Sequence, residues 1–223
     1  MRDKVMNQLR LCLVTNIQGD LTGYAKTIRG AVRGGVTMVQ LREKQNDRKL
    51  IKEKAQFLKN ILRPLSVPLI INDYVELAAE VGADGVHIGQ QDVPVPVARR
   101  ILGQDKIIGL SIESFDDLYA ANECSDLSYV TASAVFPSMT KPDCKTIWGL
   151  ENLKKLVAES SHPMTAIGGI DLSNSSEVFR AGACGVAVVG AIHNAPDPYH
   201  AAKTLIASAQ FDHASAVKKI AGQ

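Results

Sequence analysis

Apolar residues fall along this chain in short bursts, separated by longer stretches in which they recur at helical spacing. The bursts predict strands over Leu11–Thr15, Thr37–Arg42, Pro68–Asn72, Gly85–Ile88, Ile107–Ser111, Ser128–Ala132, Met164–Ile167 and Gly185–Val189. The stretches between them predict helices over Leu21–Arg33, Arg48–Leu62, Tyr74–Val81, Val95–Leu102, Phe115–Asn122, Gly149–Glu159, Ser175–Ala181 and Pro198–Ser208. Asp47, Asp73, Ser114 and Ser173–Ser175 supply helix starts, and Gly34-Gly35 supplies a stop. One helix follows each of eight strands, with no linker or shift in composition between them. The pattern predicts an α/β protein, a single (β/α)8 TIM barrel over residues 1–223, with a doubly wound open sheet as the alternative. Residues 1–10 read as a leading helix over the barrel bottom, and 211–223 as a loosely docked or frayed tail.

Polar residues interrupt the pattern most sharply at Val39-Gln-Leu-Arg-Glu-Lys44. With a strand period of two, Gln40, Arg42 and Lys44 share one face, and Val39, Leu41 and Glu43 the other. A solvated edge strand would also carry such a face. The flanking helix stop and the helix from Asp47 make this a β-α unit instead, and such units place their chemistry at strand C-termini.

Composition narrows the class. The 223 residues are 46% hydrophobic, enough for a full core, and 25 basic against 23 acidic residues leave a net charge of +2. The charges are interspersed, which argues against a nucleic-acid partner, and no run is apolar enough to span a membrane. Without a signal-peptide core at the start, a cytoplasmic location is expected. Cys12, Cys124, Cys144 and Cys184 show neither disulfide nor zinc spacing, and read as reduced thiols. His87, inside Gly85-Val-His-Ile-Gly89, reads as a packed interior histidine in preference to a catalytic one.

A barrel concentrates its strand ends on one rim. There the sequence supplies Gln40, Arg42 and Lys44, then Asn72 and Asp73, then Gln90 and Asp92, then Ser111. The longest loop, Phe136-Pro-Ser-Met-Thr-Lys-Pro-Asp143, has the length of a lid or binding segment. Small residues after the last two strands, Gly168-Gly169 and Gly190-Ala191, let backbone N–H groups approach an anion, as in barrel phosphate sites. Asp73 and Asp92 suit a hard cation completed by water and phosphate oxygens; the alternative for Asp73 is a helix N-cap before Tyr74. Arg42, Lys44, Asn72 and Lys141 with such a cation would form a second anion site suited to a diphosphate. Two anion sites describe a two-substrate transferase.

Together, Val39–Lys44, Ile71-Asn-Asp73, Ala83-Asp-Gly-Val-His-Ile-Gly-Gln90 with Asp92, Gly109-Leu-Ser111, Phe136-Pro-Ser-Met-Thr-Lys141 with Asp143, and Ala166-Ile-Gly-Gly-Ile170 resemble, in order, the motif set of the thiamine phosphate synthase family. The resemblance implies a (β/α)8 enzyme that joins hydroxymethylpyrimidine diphosphate to thiazole phosphate, releasing diphosphate. It implies that Asn72, Arg42 and Lys141, supported by Lys44, hold the diphosphate, and that Asp73 and Asp92 hold Mg²⁺. It further implies that Gln40 and Ser111 bind the aminopyrimidine, while Ser138, Thr140, Gly169, Gly190 and Ala191 receive the thiazole phosphate. Arg42, Lys141 and Ser111 would be the catalytic set, acting on a dissociative departure of diphosphate. The partners expected are small molecules, with a homodimer compatible with the resemblance.

Three departures accompany it. Thr131-Ala-Ser-Ala134 stands where the family usually has Gly-x-Gly-Pro, Ser138 where threonine is usual, and Gly190 where serine is frequent. The competing readings are a thiazole tautomerase on a similar barrel and a non-catalytic phosphate-sensing barrel. Neither needs the diphosphate and metal set, which is complete here.

Overall fold

A computed structural model describes residues 2–15, 17, 21–43, 47–138 and 144–209, with the side chains of 2–4 excepted. Eight short strands alternate with helices: α1 (Arg2–Leu9), β1 (Leu11–Val14), α2 (Leu21–Gly34), β2 (Met38–Leu41), α3 (Arg48–Leu62), β3 (Leu69–Asn72), α4 (Val75–Val81), β4 (Gly85–Ile88), α5 (Val95–Leu102), β5 (Ile107–Ile112), α6 (Phe115–Asn122), β6 (Tyr129–Ser133), α7 (Gly149–Glu159), β7 (Met164–Ile167), α8 (Ser175–Arg180), β8 (Gly185–Val188), α9 (Gly190–His193) and α10 (Pro198–Ser208). All pairings are parallel and in chain order, and β1 closes the sheet on β8 with Leu13 opposite Val188. The fold is the (β/α)8 barrel; the open-sheet alternative is excluded by that closure.

The strands are buried on both faces, as a sheet wrapped by helices requires. Their two faces supply different layers. Leu13, Val39, Leu41, Leu69, Ile71, Val86, Ile108 and Val130 point outward and pack under the helices. Cys12, Val14, Met38, Ile70, Ile107, Tyr129 and Ala187 fill the interior with Leu9 of α1, which closes the bottom. Alternation along each strand therefore separates a strand–helix core from a barrel interior.

Local chemistry sets most element boundaries. The Asp47 side chain accepts the N–H groups of Lys49 and Leu50, and Ser114 with Asp117 forms a reciprocal capping box at α6. Asp73 does not cap α4. The cap position is Tyr74, whose side chain makes no capping hydrogen bond to α4, and Asp73 instead sits at φ +66 at the strand end. Thr37 precedes β2 because its hydroxyl is engaged at the barrel bottom, donating to the Gln8 carbonyl (2.9 Å) and accepting the Leu11 N–H (2.9 Å). The segment after β8 was expected as a loop, yet Gly190 opens the short helix α9, and Arg63–Leu65 add a 3₁₀ turn after α3. Among the described residues no helix is long and apolar enough to cross a membrane.

Candidate active site

The strand C-termini converge on two adjoining cavities. The first, of about 340 Å³, is lined from every strand of the barrel and reaches down to Leu9. Gln40, Arg42, Asn72, Asp73, Asp92 and Ser111 all border it. The second, of about 380 Å³, lies beside the ends of β6, β7 and β8, and is bordered by Ser138, Gly169, Gly190 and Ala191. Arg42, Ser133, Ile167 and Ala187 line both. Lys44, Thr140 and Lys141 lie outside the described residues.

The end of β2 is fixed against β1. The Thr15 N–H donates to the Gln40 carbonyl (2.8 Å), and the Arg42 N–H donates to Thr15 Oγ1 (3.0 Å). Gln40 is buried, so its amide needs a partner in the interior, and it shares a hydrogen bond with the Tyr129 hydroxyl. That hydroxyl stands 3.0 Å from His87 Nδ1, and His87 Nε2 stands 2.9 Å from Ser111 Oγ. A chain Gln40–Tyr129–His87–Ser111 thus crosses the floor of the first cavity from β2 to β5. Hydroxyls flank both ring nitrogens and can donate or accept, so either neutral tautomer of His87 closes the chain. Burial pushes the Tyr129 phenol well above its ordinary range, keeping it neutral, and pushes the Cys12 thiol up to about 12. The tyrosine ring occupies the space that a side chain at Gly109 would need, its neighbour in register on β5.

Higher on the rim the loop after β4 is braced within itself and against strand β5. Asp92 Oδ2 accepts the Gly89 N–H (2.6 Å), and Gln90 Nε2 donates to the Ser111 carbonyl (2.6 Å). Asp73 faces the same cavity from β3, its N–H donating to the His87 carbonyl (2.9 Å). Glu113 and Lys145 border the opposite side with 3.8 Å between their charged atoms.

In the second cavity the backbone of the β7 loop is exposed by two glycines, at φ +100 for Gly168 and +61 for Gly169. A Cβ on Gly169 would lie 2.8 Å from that of Phe136, so the close approach of this loop to the β6 loop depends on glycine. The Ser133–Ala134 peptide, in the segment that departs from the resembled motif, is cis.

The family model for thiamine monophosphate synthase matches residues 11–192. The chain belongs to that family. It is 46% identical over 201 residues to the thiamine-phosphate synthase of Vibrio campbellii, covering 90% of this chain and 98% of that protein. It is 42% identical over 200 residues to that of Chlamydia abortus, covering 89% and 94%. The solved thiamine phosphate pyrophosphorylase of Pyrococcus furiosus superposes with a TM-score of 0.82 at 31% identity, covering 93% and 98%.

The rim residues expected from sequence are thus gathered wherever they are described. His87 and Tyr129 were not among them, because a histidine and a tyrosine inside apolar strands read as core. The same period of two, carried through β4 and β6, puts His87 in line with Gly85 and Gly89, and Tyr129 with Thr131 and Ser133, all facing inward. Thr131 Oγ1 and Thr165 Oγ1, 2.7 Å apart, extend this polar interior.

Proposed function

We propose that this chain is a thiamine-phosphate synthase, condensing a hydroxymethylpyrimidine diphosphate with a thiazole phosphate. The observation that carries the reading is the meeting of two chemically different cavities at Arg42. One offers carboxylates, amides and a buried polar floor; the other offers a glycine-lined backbone and a serine hydroxyl. The polar floor suits an aminopyrimidine, with Gln40 and Ser111 as ring partners held in place by Tyr129 and His87. Arg42 and Asn72, with Lys44 and Lys141 from the flanking segments, would hold the diphosphate. Ser138, Thr140, Gly169, Gly190 and Ala191 would take the thiazole phosphate.

Among the described residues no cluster of three or more acidic, histidine or cysteine side chains stands ready to hold a metal alone. Asp73 and Asp92, on one cavity wall with Asn72 and Gln90, still fit Mg²⁺, which is commonly held by one or two carboxylates and completed by water and phosphate oxygens. When bound, Mg²⁺ would neutralise charge on the departing diphosphate. In the reaction the methylene C–O bond breaks and its electron pair leaves with diphosphate; the thiazole nitrogen lone pair then forms the new C–N bond. The protein's part is to orient both rings and stabilise the leaving anion. Each charged hydrogen bond, such as one from Arg42, is worth about 1.5–3 kcal/mol.

The test incubates purified protein with both substrates and Mg²⁺ and detects thiamine phosphate and diphosphate in equal amounts. Chelation should stop turnover. Asp92→Asn should reduce it by about two orders of magnitude, on the scale of a misplaced reacting group, while leaving thiazole phosphate binding unchanged. A protein that binds thiazole phosphate, ignores diphosphate with Mg²⁺ and forms no product would be a tautomerase or a sensor instead.

A further inference from the structure

Helix α3 buries one face made of Ile51, Ala55, Leu58, Ile61 and Leu62, and in the middle of that face stands Lys54. A lysine there is costly unless its charge is matched, since an unpaired buried ammonium loses hydration with nothing in return. Its Nζ lies 2.7 Å from Glu43 Oε2 and 3.2 Å from the Ile17 carbonyl. The side chains of the pair are only 11% and 9% exposed. Glu43 is the residue after Arg42, on the outward face of the same strand end, and Ile17 belongs to the segment after β1. Lys54 therefore joins three pieces of chain at one point behind the rim.

We infer that the Glu43–Lys54 pair is a positioning device for Arg42, fixing the strand end from outside so that the guanidinium points to the boundary of the two cavities. Arg42 is held inside by its own N–H on Thr15 Oγ1. On the outside, the next residue is held by Lys54. A residue clamped through its backbone on one side and through its neighbour's side chain on the other has little freedom to rotate away. Neither Glu43 nor Lys54 borders either cavity, so both act through Arg42 rather than on substrate. The inference rests on the assignment of Arg42 to the diphosphate.

The test uses Glu43→Gln, Lys54→Met and the double variant, each as full-length protein. In ligand-free protein, hydrogen exchange of the Arg42 amide should accelerate about tenfold or more relative to that of Ile71, as its local clamp opens more readily than the core. In turnover, kcat/KM for the pyrimidine diphosphate should fall about ten- to a hundredfold, while KM for thiazole phosphate stays within about twofold. The single variants leave a lone buried charge and will melt early; the double variant leaves none, and should recover melting temperature without recovering turnover. A double variant with parental turnover and parental protection at Arg42 would reduce the pair to a structural tie and overturn the inference. A parent that forms no thiamine phosphate would defeat the functional reading instead, and the exchange measurement, which needs no substrate, would still decide whether the pair holds Arg42.

Discussion

The Tyr129 hydroxyl and His87 Nδ1 stand 3.0 Å apart beneath the rim, and through them Gln40 on β2 is linked to Ser111 on β5. The two residues expected to bind the pyrimidine are thus held by a pair lying deeper in the same cavity. Replacing Tyr129 by Phe keeps the ring and removes the hydroxyl on which both Gln40 and His87 depend. The expected cost is about 1–2 kcal/mol of stability, from two lost partners in a buried site. KM for the pyrimidine diphosphate should rise about tenfold, equivalent to 1.4 kcal/mol, with thiazole phosphate binding intact. Chemical denaturation and steady-state kinetics on the purified variant would check both; equal losses for the two substrates would show that the floor does not belong to the pyrimidine side.

Gly169→Ala tests the other cavity. At φ +61 an alanine is strained by about 1–2 kcal/mol, and its Cβ would press on Phe136. The β7 loop must then shift away from the β6 loop. Thermal shifts should show thiazole phosphate stabilisation reduced, with the shift from diphosphate and Mg²⁺ retained. Retention of the full thiazole phosphate shift would move that ligand off the β7 loop.

The pH dependence of stability should carry a signature of His193. It is the last residue of α9, stacked on Tyr24 with ring centroids 5.2 Å apart, its Nε2 within 3.2 Å of the Val14 carbonyl. Burial lowers its pKa below the ordinary value, only partly offset by the hydrogen bond to that carbonyl. The unfolded chain therefore binds this proton more readily than the folded one, so stability is present above about pH 6.5 and lost as pH falls through the depressed folded value. Carboxylates with lowered pKa, Glu80, Asp171 and Asp197 among them, titrate further down. Melting temperatures between pH 7.5 and pH 5.5 should decline in the parent and decline less in His193→Gln, windows set by the histidine range of about 6.5. Parallel curves would remove His193 from the account.

Much of this site is legible in the chain because a parallel barrel writes itself in two simple periods. Short apolar bursts place β3 and β4 within a residue of their observed bounds, and the polar residues that end them, Asn72, Asp73 and Asp92, fall on one cavity wall. What the pattern hides has identifiable physical causes. His87 and Tyr129 sit in apolar strands and gain their chemistry only from each other, two strands apart on the inner face of the barrel. Lys54 is a charge in an apolar helical stripe, a visible anomaly whose partner Glu43 is revealed only by the way α3 folds back beside the segment that follows β2. Asp73 has the composition of a helix cap, yet its left-handed backbone sends the chain into α4 by another route. The start of α9 reads as a glycine loop because four residues are too few to show helical spacing.

Leu9, almost wholly buried and bordering the first cavity from below, makes this barrel a cup rather than a tube. Everything that enters must come back out through the lip where Arg42 stands. A pyrimidine seated on the Tyr129–His87 floor, as proposed, would enter and leave by that same mouth. Shortening the chain ahead of β1 would remove Leu9 from the bottom of the cup and open the barrel interior from beneath.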